Sequence, residues 1–215
     1  MNTSNDAYIQ EVLGLILAPA SERERFAVDL RLHLEAASGE GLSPAQAAAR
    51  LGSPREVAAE FMAGQELHYA GFWRRLVAFF IDLMILSLLG LIPALAAIVF
   101  SNLVPPHPVT ALDYAIGGML IFLVLACILA VLSLVLLYFP VLEGRFGQTA
   151  GKKLLWLAVR REDGLPIGYK EAFVRRISYY LDILPFDALF IPFTARKQRA
   201  FDLVARTVVV RLVLV

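Results

Sequence analysis

The fold is decided by a stretch of 28 residues without a charged side chain, Ala115–Leu142, with the sequence AIGGMLIFLVLACILAVLSLVLLYFPVL. A second apolar run, Val77–Phe100, contains a single charge, that of Asp82. About 20 helical residues cross the ~30 Å hydrocarbon core of a bilayer. Nothing else in the chain is large enough to bury two such helices in a soluble fold. The sequence therefore predicts an integral membrane protein with two transmembrane helices.

The charges divide the chain into two parts. Residues 1–70 carry ten acidic side chains and five arginines, whereas residues 71–215 carry nine acidic side chains and fifteen lysines and arginines. The formal net charge of +1 thus combines an acidic N-terminal part with a basic, apolar remainder. We expect a helical head at residues 1–64, a linker at residues 65–76 and a membrane domain at residues 77–215.

The positions of lysine and arginine predict the orientation of the two spans, because cytoplasmic flanks are enriched in both. Arg74 and Arg75 precede the first span, and six lysines and arginines follow the second span within residues 143–170. The connection between the spans, residues 101–114, has neither residue type and contains three prolines. We therefore expect a multi-pass protein of the cell (plasma or inner) membrane with both termini in the cytoplasm and the proline loop outside.

A third apolar segment, Ile177–Thr194, is interrupted by two aspartates and two prolines. A complete crossing would carry the basic residues 196–199 outside, so we favour a broken helix pair that re-enters or lies at the interface; a full third span is the alternative. The flanking stretches Leu154–Arg161 and Thr207–Val215 favour a small cytoplasmic β element. The predicted fold class is thus all-α and membrane-embedded, with a minor β element.

The head contains three serines that each precede Glu or Gln by three residues: Ser21, Ser43 and Ser53. In such a capping box, the two side chains satisfy free backbone N–H groups at a helix start. Proline directly follows Ser43 and Ser53, at the first helical position, where its missing N–H costs little. With a first helix near Tyr8–Ala18, the sequence predicts four short helices.

Four stretches of the head resemble HAAS-type signalling domains, which are small helical modules found in front of bacterial membrane segments. They are Tyr8–Leu13, Ser21–Leu34, Glu40–Ser43 and above all the turn Leu51-Gly-Ser-Pro-Arg-Glu-Val-Ala58. The resemblance covers about the first 64 residues. It implies regulation through protein–protein contact and no chemistry of its own.

The intramembrane charges are the candidate functional residues, because a charge in a spanning helix is costly unless it is paired or hydrated. Arg75 and Asp82 lie two helical turns apart, about 10 Å along the axis, so each is expected to meet a partner on another helix. The stretch from Arg175 and Arg176 to Asp182 resembles the stretch from Arg74 to Asp82. This similarity is either a weak internal repeat or a coincidence.

Three separated motifs resemble the RDD family of membrane proteins: Trp73–Asp82, Gly147–Leu155 and Gln198–Thr207. The resemblance covers about residues 71–210. It implies that Arg75, Asp82 and Asp202 are the arginine and the two aspartates of the family pattern. The chain departs from the pattern at Phe201, where a histidine is frequent, and at Arg206, where glycine is common; a proton relay through position 201 is thereby in doubt.

The residues and the resemblance support two hypotheses. The first is cation/proton transport through an ion pathway or buried charge cluster that contains five residues: Arg75, Asp82, Arg176, Asp182 and Asp202. The alternative is a non-catalytic regulatory or assembly protein whose cytoplasmic head binds a protein partner. We expect contact with the lipid bilayer, a homo-oligomer, no nucleic-acid partner, no metal and no cofactor. No catalytic motif is present in the sequence, and the three histidines are scattered, so we expect no enzymatic activity.

Overall fold

The computed structural model describes residues 3–102, 110–181 and 183–212. Within the head, four helices follow one another: α1 (Thr3–Leu15), α2 (Ala20–Gly39), α3 (Pro44–Leu51) and α4 (Pro54–Ala63). They pack around a core to which α1 contributes Ile9, Val12, Leu13 and Ile16. The four predicted helices are present, but α1 begins and ends earlier than predicted.

Two of the three predicted capping boxes are confirmed. Ser43 and Ser53 each accept a hydrogen bond from the backbone N–H three residues later, and the Gln or Glu there accepts one from the serine N–H. The prediction at Ser21 is wrong, because α2 already starts at Ala20 after Pro19 and has no side-chain cap. Pro19 occupies the N-cap position, so Ser21 is already the second helical residue and cannot act as a cap.

Two long helices follow the head. They are α5 (Phe72–Ser101) and α6 (Ala111–Phe146), and both are long and apolar enough to cross a membrane. Each extends beyond its predicted span at both ends, so residues 72–76 of the predicted linker are helical. Few side chains in their most apolar stretches are buried within the protein. The proline loop predicted between the spans falls largely on residues 103–109, which lie outside the described residues.

The remaining part of the described chain, residues 147–212, is called the base. It contains the short helices α7 (Ala150–Leu154), α8 (Tyr169–Val174), α9 (Ile177–Tyr180), α10 (Leu184–Ala188) and α11 (Ala200–Val204), a 3-10 turn at Ile191–Phe193, and the strands β1 (Leu157–Arg161) and β2 (Thr207–Arg211). The strands pair antiparallel, with Val159 opposite Val209. The predicted fold class, all-α and membrane-embedded with a minor β element, is confirmed.

The head is joined to the base by backbone pairing and by a shared core. Tyr69 in the linker forms an antiparallel bridge with Val210, and the Ala70 N–H donates to the Val209 carbonyl at 2.8 Å. Leu165, from the turn after β1, is 2% exposed and belongs to the core of the head. The neighbouring Gly164 has a φ of +80°, and a side chain there would collide with Met62 of α4. The turn of the base is therefore part of the head's interior.

Candidate functional site: two buried aspartates and a charge cluster

Asp82 lies in α5, is 1% exposed, and is held by three hydrogen-bond donors that carry no charge. The Tyr138 hydroxyl donates to one carboxylate oxygen at 2.8 Å and the Gly151 N–H donates to the same oxygen at 2.7 Å. The Thr149 hydroxyl donates to the other oxygen at 2.6 Å. No lysine or arginine within the described ranges forms an ion pair with this carboxylate. Its desolvation is offset by oriented dipoles instead.

The Gly147–Leu155 motif explains how these donors reach Asp82. Gly147 ends α6 in the left-handed conformation, with a φ of +68°, and turns the chain back towards α5. Thr149 then caps α7 by accepting from the Lys152 N–H, which leaves its own hydroxyl hydrogen for Asp82. A side chain at Gly151 would overlap the Ala78 carbonyl of α5. The small residue at position 151 thus allows the close approach of α7 to α5.

Asp202 is fully buried and is surrounded by arginines. Arg75 of α5 donates to one carboxylate oxygen at 2.9 Å, and Arg175 and Arg199 donate to the other oxygen at 2.8 and 3.3 Å. The carboxylate also accepts from the Arg199 N–H at the start of α11, so it caps that helix. Arg75 and Arg175 are themselves at most 9% exposed. This ion pairing fastens the C-terminal motif to the first turns of α5.

Glu143, in the last turn of α6, forms the second centre of the same network. Arg175 donates to one of its oxygens at 3.0 Å, while Arg176 donates to the other at 3.1 Å and Lys152 contacts that same oxygen. The Arg176 guanidinium also lies 3.6 Å from the centre of the Phe139 ring, on the same helix as Glu143. Arg175 therefore bridges Glu143 and Asp202, and α6 becomes part of the network.

Asp187 closes the network at the third apolar segment. Its carboxylate accepts from the Ser178 hydroxyl at 2.8 Å and from the Phe201 N–H at 2.9 Å, and Arg199 lies 3.7 Å away. Ser178, near the start of the segment, and Phe201, beyond its end, thus meet at one carboxylate. The described part of this segment is broken into short helices.

The electrostatics of the base reflect an excess of buried cations. Burial raises the pKa of Asp202, but Arg175, Arg199 and Arg75 outweigh this effect and hold the pKa well below its ordinary value. Burial lowers the pKa of Lys152 to about 8, and the repulsion from Arg175 and Arg176 adds to the effect in spite of Glu143. Burial likewise lowers the pKa of Arg176 to about 10. The Asp202 carboxylate is strongly stabilised as an anion, whereas the lowered pKa values of Lys152 and Arg176 show that these two cations are incompletely compensated.

The eight residues of this network are called the charge cluster: Arg75, Glu143, Lys152, Arg175, Arg176, Asp187, Arg199 and Asp202. Among the residues proposed from the sequence, Arg75, Arg176 and Asp202 lie in it. Asp82 forms a separate centre with uncharged partners, and Asp182 lies outside the described residues. Sequence reasoning did not propose Glu143, Lys152, Arg175, Asp187 or Arg199 as site residues. One signal for Glu143 was available, since it is an acid placed directly after an apolar run and just ahead of a basic stretch.

Two helices of membrane-spanning length, closed at one end by buried ion pairs and hydrogen-bonded carboxylates, define an integral membrane protein. The model of the RDD family matches residues 69–206, more than half of the chain, and the chain belongs to this family of membrane proteins. The HAAS model matches residues 7–60, which confirms the resemblance of the head. No curated protein and no solved structure matches the chain.

Proposed function

We propose that this RDD family protein is a non-catalytic membrane regulatory or assembly protein whose head binds a protein partner. One observation carries the proposal: Leu165 of the base is buried in the core of the head. A partner that shifts the head helices must therefore move the turn after β1. This turn is connected to Asp202, because β1 pairs with β2 and β2 directly follows the helix α11 that contains Asp202. The HAAS match of the head, a domain type that suggests a regulatory or partner-binding role, supports the same function.

The surface of α2 offers a site for such a partner. Val28 and Leu32 are 52% and 58% exposed, one turn apart, on the side of the helix opposite the buried Leu30 and Leu34. Charged side chains of both signs flank them on the same exposed side of α2: Glu24, Arg25, Arg31 and Glu35. An exposed apolar pair among charged side chains favours a partner helix with an apolar stripe and charged flanks.

The experiment compares two double variants in full-length protein expressed in its native membrane. Val28→Glu with Leu32→Glu adds two charges to the proposed surface, and Ala45→Glu with Ala49→Glu adds the same charges to the exposed side of α3 as a control. In vivo crosslinking followed by mass spectrometry reads the proteins bound to the head. We expect the first variant to lose a specific crosslinked partner that the control retains. Equal crosslinking in both variants would contradict the proposal.

We also propose that the protein crosses the membrane twice, with the head and the base in the cytoplasm and residues 103–109 outside. The distribution of lysine and arginine supports this orientation. Exposed apolar side chains on α5, α6 and the third apolar segment would contact the bilayer. The test places single cysteines at Ala49 or Leu112 in a Cys127→Ser background. A membrane-impermeant maleimide should label intact cells only at position 112, and labelling at position 49 would contradict the orientation.

Cation/proton transport is the second candidate function, favoured by one observation: the buried Asp82 carboxylate lines a cavity together with lysine and arginine side chains. Two spans form a thin wall, so transport would take place in a homo-oligomer. The test is cation-dependent proton flux in proteoliposomes, with Asp82→Asn as the control. Flux that is abolished by Asp82→Asn supports transport, and its absence from a folded oligomer removes this candidate.

A further inference from the structure

A cavity of about 360 Å³ lies where the charge cluster meets the first turns of α5. One part of its wall is cationic and is formed by Arg75, Lys152, Arg175, Arg176 and Arg199. Another part is apolar and includes Phe72, Leu76 and Phe79 of α5 together with Leu189 and Ile191 of the third segment. Its volume lies in the range of small-molecule sites, about 300–1,000 Å³. The wall is thus suited to a ligand with a charged end and an apolar end.

The charges around this cavity do not balance. Five cations line it, and the carboxylates that line it or pair with those cations are four: Asp82, Glu143, Asp187 and Asp202. One positive charge is left over within the described part of the chain. Because an uncompensated charge is costly away from water, a single anion in the cavity would stabilise the site.

Two of the lining arginines also have unused donors. One terminal nitrogen of Arg75 and the Nε of Arg176 are buried, and neither has a hydrogen-bond partner within the described residues. Both side chains are more than nine-tenths buried. Buried donors without acceptors are rare, and in a native site they point to water, an ion or a ligand as the acceptor. The lowered pKa of Arg176 and Lys152 agrees with the missing counter-charge.

We propose that this cavity binds a phosphate group with one negative charge. Arginine forks match phosphate oxygens in geometry and charge, and a phosphodiester carries the single negative charge that the count requires. The apolar wall and the position at the end of two apolar helices favour the headgroup of an anionic phospholipid as the source, since basic pockets at that depth bind such headgroups. Free inorganic phosphate shares the chemistry and is the other source.

The experiment titrates full-length protein in a neutral detergent with three probes: dioctanoyl phosphatidylglycerol, dioctanoyl phosphatidylcholine and inorganic phosphate. Calorimetry measures affinity, and the thermal midpoint reports binding to the folded state. We expect phosphatidylglycerol to bind about fivefold more tightly than phosphatidylcholine, whose choline group adds a positive charge beside the phosphate, because one charge–charge contact is worth about 1 kcal/mol. Saturation by inorganic phosphate with no gain from phosphatidylglycerol would identify free phosphate as the source of the same chemistry. The absence of binding by both anions would overturn the proposal.

Matched variants locate the site without changing any charge. Leu76→Trp fills the cavity from α5, and Leu88→Trp makes the same change at an exposed position of the same helix. Leu189→Trp, at an exposed position of the wall, serves if Leu76→Trp does not fold. Filling the cavity should weaken anion binding about tenfold or more while Leu88→Trp has no effect. Unchanged binding in a folded, cavity-filled variant would overturn the proposal.

The charge count leaves out Asp182, which lies outside the described residues. The same titration on Asp182→Asn tests whether its carboxylate or an external anion supplies the missing charge. An affinity for phosphatidylglycerol within about twofold of the parent supports an external anion. Binding that occurs only in Asp182→Asn would overturn the proposal, since Asp182 would then supply the missing charge.

Discussion

Asp82 and Asp202 are the two aspartates that the RDD resemblance selects, and both are buried, yet their surroundings differ. Asp82 accepts hydrogen bonds from a hydroxyl group of α6 and from a hydroxyl and an N–H of the α7 region. Asp202 is held by three arginines. The first arrangement joins α5 to α6 and to the α7 region through hydrogen bonds from uncharged donors, while the second joins α5 to Arg175 and to α11 through ion pairs. One buried aspartate is therefore held by uncharged groups, and the other lies at the centre of an ionic network.

The largest effect is expected from Asp202→Asn. Its loss leaves Arg75 and Arg175 buried with less counter-charge, and breaking a buried pair from one side costs about 3–5 kcal/mol. The free energy of unfolding in detergent should fall by this amount. Asp29→Asn, an exposed change in α2, is the control and should stay within about 0.5 kcal/mol of the parent. If Asp202→Asn and Asp29→Asn both lowered the free energy of unfolding by a similar small amount, the contrast between Asp202 and Asp82 would not hold.

A second large effect is expected from Gly151→Ala, which tests the packing beside Asp82. The added methyl group overlaps the Ala78 carbonyl, so α7 must shift and its hydrogen bond to Asp82 weakens. We expect a loss of about 1–3 kcal/mol in the free energy of unfolding. Gly118→Ala in α6 is the control, because nothing lies within 4 Å of the new atom. Equal stability of both alanine variants would show that the close approach is not required.

Asp82→Asn should cost less than Asp202→Asn. The amide keeps one acceptor oxygen, and the Thr149 hydroxyl can rotate, so the loss is limited to weakened or unmade hydrogen bonds, about 1–3 kcal/mol. No arginine loses a partner among the described residues. Thermal unfolding of both aspartate variants in the same detergent gives the order. A greater loss of unfolding free energy for Asp82→Asn than for Asp202→Asn would contradict the expected order.

The smallest effect is expected from Arg206→Gly, at the second departure from the family pattern. Arg206 has a φ of +51°, a conformation that costs a residue with a Cβ about 1–2 kcal/mol and that glycine adopts freely. The greater flexibility of glycine in the unfolded chain offsets about 0.5–1 kcal/mol of this gain. A net gain of about 0.5 kcal/mol in unfolding free energy is expected. A loss would indicate that the arginine side chain itself stabilises the turn before β2.

Many of the helices and caps could be predicted from the sequence, but the residues that pair with each other across the fold could not. The two apolar runs and the serine caps at 43 and 53 depend on local chemistry, and the structure contains them. Arg75 and Asp202 could be selected as important, but 127 positions separate them, and no local pattern indicates that they pair. Glu143 was overlooked because the predicted span ended at residue 142, one position before it. The contact between the head and the base through Leu165 could not be predicted either, since a single leucine after a turn does not indicate in which hydrophobic core it is buried.

Arg75 is paired with Asp202 across the fold and not with Asp82 on its own helix. Two double-mutant cycles in the same detergent test it, one combining Arg75→Gln with Asp202→Asn and the other combining Arg75→Gln with Asp82→Asn. We predict a coupling free energy of about 1–3 kcal/mol in the first cycle and less than about 0.5 kcal/mol in the second. A coupling with Asp82 that equals or exceeds the coupling with Asp202 would contradict the account.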